Sequence, residues 1–113
     1  MTPSLSDKTK QTIASELQRR FKIKSIILFG SHANGTPNKE SDVDLVVVLD
    51  RGGSPASYMD RINLRASMAE ALGEIEKDYG LDVLAYTSDE WDSLVKAKSS
   101  FTRSILSTGV ILV

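Results

Sequence analysis

The stretch "LFGSHANGTPNKESDVDLVVVLD", residues 28–50, decides the fold. It begins with the end of an apolar, β-branched run that stops at Gly30. The loop "NGTPNKES" is dense in turn formers and must lie exposed. Asp42 and Asp44 then open a second apolar run, unbroken after Asp44. Such a run predicts a strand buried on both faces, and therefore central in a sheet. Side chains alternate along a strand, so Asp42 and Asp44 project to the same face. Two residues of strand cover roughly 6.5–7 Å. At an effective dielectric near 20, two carboxylates at that distance repel by roughly 2–2.5 kcal/mol. Folding gains nothing from that repulsion, so basic side chains or a divalent cation should offset it. Carboxylates without His or Cys are hard oxygen ligands, which favours Mg²⁺ or Mn²⁺ over zinc. Paired aspartates can hold two ions roughly 3.5–4 Å apart, the arrangement that serves in-line phosphoryl displacement.

Outward from this segment, the chain alternates helices and strands. A helix is predicted from about Ser6 to Phe21, capped by Ser6, with Ile13, Leu17 and Phe21 in one apolar stripe. "IKSIILFG" reads as the first strand and "DVDLVVVLD" as the second. After the flexible "RGGSPAS", a long helix is predicted from about Tyr58 to Lys77, with Leu64, Met68, Ala71, Leu72 and Ile75 on one face and Gly80 as a stop. "LDVLAY" is a third strand. Two short helices follow, the first with Trp91, Leu94 and Val95 inward and the second ending at Gly109. "VILV" closes the chain as a strand. The order α-β-β-α-β-α-α-β predicts an α+β fold, a small mixed β-sheet with helices packed mainly on one face. The other face, or one end of it, would then be free to carry a site.

The 113 residues suit a single domain spanning 1–113. With 41% apolar and 26% charged residues the chain reads as soluble and globular. A formal net charge of -1 gives no strong signal for nucleic acid or an anionic membrane. The absence of cysteine excludes disulfides and thiolate metal sites and suits a cytoplasmic protein. The opening "MTPSLSDKTK" has no signal-peptide core, and no apolar run is long enough for a membrane span.

Asp82, inside "LDVLAY", is a third candidate. A strand interior is a poor place for aspartate unless it faces solvent or performs a function. If the third strand lies beside the second, Asp82 can join Asp42 and Asp44 at one metal cluster. Gly30-Ser31 sits where a strand ends, a junction that exposes backbone N–H groups and lets a phosphate approach closely. Most such pairs are plain turns. Followed by ten residues from His32 to Ser41 and then Asp42-Val43-Asp44, the combination is far rarer than its parts.

"GSHANGTPNKESDVDLVV" resembles the signature of the polymerase-β-like nucleotidyltransferase superfamily, and most of all its minimal, MNT-type members. "LDVL" stands where that family's third carboxylate is found, and "SILSTGVILV" is similar to its usual close. The resemblance implies the polymerase-β-like fold and a catalytic set of Asp42, Asp44 and Asp82. It implies that Gly30 and Ser31 cradle the β- and γ-phosphates, with Asp42 and Asp44 completing nucleotide binding. It implies that the three aspartates hold two Mg²⁺ ions, with Mn²⁺ possible, and that Asp82 helps take the acceptor's proton. ATP is then the substrate, and a nucleoside monophosphate passes to an acceptor with release of pyrophosphate. The chain departs from the family's frequent GSxARG pattern at Asn34, which carries no charge to offer a phosphate. Lys39 is a candidate substitute cation, although a loop lysine is more often simply solvated.

MNT-type proteins commonly pair with a HEPN-domain toxin. The resemblance therefore implies transfer of AMP to a tyrosine of such a partner, making this chain an antitoxin. No additional acceptor-binding domain is visible in the sequence, so the acceptor is expected on another protein. Two alternatives stay open: a binder that neutralises its partner by contact, and a nucleotidyltransferase acting on a small molecule. The oligomeric state is not legible. His32, the sole histidine, reads as a surface residue, Trp91 as core, and Asp50 as a turn residue. Arg19, Arg20, Arg61 and Arg65 read as solvated helix positions.

Overall fold

The computed structural model describes residues 5–30, 33, 42–53, 57–77 and 79–113. Helix α1 (Asp7–Arg20) leads into β1 (Ile23–Phe29), which is followed by β2 (Val43–Leu49). Helices α2 (Tyr58–Ala71) and α3 (Gly73–Glu76) connect β2 to β3 (Leu81–Thr87). Helices α4 (Ser88–Ala97) and α5 (Ser100–Thr108) precede the short β4 (Val110–Ile111). The order among described residues matches the sequence expectation, with one change. The helix expected from Tyr58 to Lys77 breaks at Leu72, whose backbone leaves the helical region at φ -102, ψ 22. Its N–H reaches several carbonyls of the preceding turn, Met68 and Ala69 both at 3.1 Å, while Gly73 follows with no side chain to enforce continuation. The break costs little because Leu72 and Ile75 both stay buried.

The sheet order is β3-β2-β1-β4. β1 pairs antiparallel with β2 and with β4. β2 pairs parallel with β3, and α2–α3 is the crossover that this pairing requires. β2 is therefore interior, with a strand on each side and apolar residues on both faces. Val43, Leu45, Val47 and Leu49 join the larger core, together with Ile13 and Leu17 of α1 and Met68 and Ala71 of α2. Val46 and Val48 face the other way, into a smaller cluster with Ile27, Trp91 and Ile105. Helices α4 and α5 thus cover part of the second face. Beyond them lies the end of the sheet where β1 closes and β2 and β3 begin.

The caps explain where the helices start. Ser6 accepts the Thr9 N–H at 3.1 Å. Thr87 and Glu90 form a reciprocal capping box at the start of α4. Among the described residues no helix is long and apolar enough to cross a membrane.

Candidate active site

One end of the sheet gathers the close of β1 and the starts of β2 and β3. Phe29 pairs with Asp44, and Asp44 pairs with Asp82. Residues paired across neighbouring strands lie about 4.8 Å apart and share a face. This face is that of Val46 and Val48, the side occupied farther along by α4 and α5. Two of the three aspartates are therefore juxtaposed by register alone. Asp44 is half-buried and Asp82 exposed.

Asp42 lies one residue before β2, where the alternation of the strand no longer dictates its direction. It is exposed, and its carboxylate lies against Gly80: a Cβ built on Gly80 would fall 1.9 Å from Asp42 Oδ1. The carboxylate of Asp44 lies against Gly30, where a Cβ would fall 2.2 Å from Oδ2. Gly30 ends β1 with φ +77, a left-handed conformation that glycine adopts without the usual penalty. Thus Gly30, Asp42, Asp44 and Asp82 share one end of the sheet, but the two motif carboxylates rest against different glycines. Among the described residues no group of three His, Cys, Asp or Glu side chains is placed to hold one metal ion. The donor chemistry is nonetheless all oxygen and suits Mg²⁺. Ser31, with His32, Asn34 and Lys39, lies outside the described residues.

An aromatic pair bounds the β1 side. The rings of Phe29 and Phe101 meet edge to face, with centroids 5.9 Å apart and planes at 88°. Phe101 remains 39% exposed, so an apolar ring stands at the rim beside Phe29. Sequence reading passed over this pair and over Gly80, which looked only like a helix stop. The signal for both appears once the strand register is known, because that register brings distant segments to the same end.

The opposite end of β3 is closed by a polar network. Arg61 donates to the Ala85 carbonyl at 3.0 Å and pairs with Glu90. Asp89 accepts the Gly53 N–H at 2.7 Å, and Ser88 Oγ donates to the Arg51 carbonyl at 2.8 Å. A hollow of about 480 Å³ lined by Tyr86, Asp89, Glu90 and Ser93 lies here. Its two acids already serve the loop and Arg61, and it stands at the wrong end of β3 to share a ligand with Asp82.

Comparison with known proteins bears on this arrangement. The family model for the nucleotidyltransferase domain matches residues 10–107. A curated relative from Methanocaldococcus jannaschii, named as a candidate protein adenylyltransferase, is 39% identical over 57 residues. That match covers 50% of this chain and 56% of the relative, so the chain spans about half of the relative's length. Among solved structures, a toxin–antitoxin crystallised with AMP-PNP aligns with a TM-score of 0.59 at 23% identity, covering 92% of this chain and 72% of that one. A mutant of the MntA-HpeT toxin–antitoxin aligns with a TM-score of 0.58 at 21% identity, with the same coverage of 92% and 72%. At these identities the two structures speak to the fold.

Proposed function

That the chain belongs to the nucleotidyltransferase domain family is the premise from which we propose that it transfers AMP from ATP to a hydroxyl acceptor. In this reading the acceptor is a tyrosine of a HEPN-domain toxin, and residues 1–113 act as a single minimal domain, an antitoxin working in the cytoplasm by adenylylation. The observation that carries the reading is the register of Asp44 with Asp82 beside the left-handed Gly30. Two adjacent carboxylates repel each other, and a bound cation would offset that repulsion. The toxin–antitoxin neighbours, one with AMP-PNP, support a nucleotide and a toxin partner. The relative named for protein adenylylation supports a protein acceptor.

The chemistry assigns each residue a task. Gly30 and Ser31 receive the β- and γ-phosphates through backbone N–H groups, with the Ser31 hydroxyl as a further donor. Asp42, Asp44 and Asp82 would hold two Mg²⁺ ions, or Mn²⁺ in their place, which when bound neutralise charge on the triphosphate. The acceptor oxygen bonds to the α-phosphorus as the bond to the bridging oxygen breaks. Pyrophosphate leaves with that electron pair. Asp82, exposed at the rim, takes the hydroxyl proton.

The test is labelling. ATP carrying label on its α-phosphate, incubated with this chain, Mg²⁺ and the cognate HEPN protein, should label that protein, and a Tyr→Phe change at the acceptor should remove the label. Label on a small molecule or RNA alone would overturn the protein-acceptor reading. A second reading, neutralisation by contact, draws on the two motif carboxylates resting against different glycines. It predicts full protection of the partner with no label transferred.

A further inference from the structure

We infer that Gly80 is a positioning residue for Asp42: its missing side chain leaves the space that the Asp42 carboxylate occupies beside the starts of β2 and β3. The inference deepens the nucleotidyltransferase reading and, as regards function, rests on it.

Three observations converge. First, a Cβ at Gly80 would lie 1.9 Å from Asp42 Oδ1 and 2.8 Å from its Cγ, so the carboxylate and a side chain cannot share this space. Second, Gly80 does not need to be glycine for its backbone. Among the described glycines only Gly30 and Gly53 have positive φ. An L-residue can therefore adopt the Gly80 backbone, and the demand for glycine there comes from Asp42. Third, the two segments cannot simply separate. The Gly80 carbonyl accepts the Val43 N–H at 2.8 Å, and the parallel ladder begins at once with Val43 opposite Leu81 and Asp44 opposite Asp82. Backing away would break the pairing that aligns the other two carboxylates.

The consequence separates site from fold. Asp42 is exposed, and its carboxylate is the free end of a side chain that can rotate. An alanine at position 80 would therefore displace the carboxylate without disturbing the core. The fold survives, and the aspartate loses its orientation. Glycine at this position serves Asp42 by leaving available the side-chain direction that a Cβ would exclude.

The experiment uses the full chain with Gly80→Ala, Asp42→Ala and the double variant. In ligand-free protein, the side-chain carboxyl ¹³C signal of Asp42 should move in Gly80→Ala while the melting temperature holds. An unmoved Asp42 signal overturns the inference, whatever the activity. Affinity for Mg²⁺ with ATP should fall by about 10–100-fold in Gly80→Ala. Added to Asp42→Ala, the glycine change should cost nothing more, because its effect runs through the missing carboxylate. An equal loss in both backgrounds overturns the inference. A moved carboxyl signal in a protein that binds no Mg²⁺ with ATP even as wild type supports the positioning role and overturns the nucleotide reading instead.

Discussion

The Asp44 carboxylate occupies the space in which a side chain at Gly30 would begin, since a Cβ there would lie 2.2 Å from Oδ2 and 3.2 Å from Cγ. Gly30 also sits at φ +77, so here, unlike at Gly80, both space and backbone demand glycine. Gly30→Ala should cost about 1–2 kcal/mol from the left-handed backbone alone. At roughly 4 °C in Tm per kcal/mol for a domain of this size, that is a loss of about 4–8 °C. Thermal denaturation of Gly30→Ala beside Gly80→Ala checks the contrast. Equal Tm values for the two variants would contradict the distinction between a glycine required by φ and one required only by a neighbouring carboxylate.

Asp82→Asn addresses the third carboxylate. The side chain is exposed on the edge strand β3, so the substitution should leave Tm within a few degrees. Transfer of AMP should fall by on the order of a hundredfold or more, the size of effect expected when a charge-stabilising group is removed from a reacting centre. Steady-state transfer measured beside far-ultraviolet circular dichroism separates the two effects. Retained transfer would remove Asp82 from the catalytic set.

How far the sequence could be read depended on the range of the interaction involved. β2 was legible because its apolar run leaves no polar face, and a strand of that kind has to be interior. Met68, Ala71, Leu72 and Ile75 were legible as a buried face because helical periodicity is local. The break at Leu72 was not, since both sides of it bury the same residues and the pattern continues through it. The Asp44–Asp82 neighbourhood could only be stated conditionally, because parallel pairing of β2 with β3 depends on how α2 and α3 pack. Gly80 and Phe101 carried no local signal toward the site. Their meaning arises from register and from the contact with Phe29, which are long-range relations.

Arg61 offers a prediction about stability away from the site. It spans the β3 edge, donating to the Ala85 carbonyl at 3.0 Å and pairing with Glu90, whose other oxygen accepts the Thr87 N–H at 3.0 Å. The two side chains are 25% and 18% exposed, too buried for a typical solvated pair. Arg61→Ala leaves a largely buried acceptor unpaired and should destabilise by about 1–3 kcal/mol. Urea denaturation measures this. Because the network closes the end of β3 opposite Asp82, affinity for Mg²⁺ with ATP should stay unchanged, and a parallel loss of affinity would contradict that separation.

The metal requirement gives the last prediction. Three carboxylates repel a triphosphate unless cations stand between them, so ATP alone should bind poorly and ATP with Mg²⁺ well. A ligand that binds only the folded state stabilises it by about 2.7 kcal/mol at a hundredfold excess over Kd. At roughly 4 °C per kcal/mol, that is a rise of about 10 °C in Tm. The expected pattern is a large shift with ATP and Mg²⁺, a comparable one with Mn²⁺, and almost none with ATP and EDTA. The Asp42→Asn, Asp44→Asn double variant should lose the shift with either metal, because Asn keeps the shape of each side chain and removes its charge. Equal stabilisation by ATP in the presence of EDTA would mean that the triphosphate is held by groups other than these aspartates and their ions.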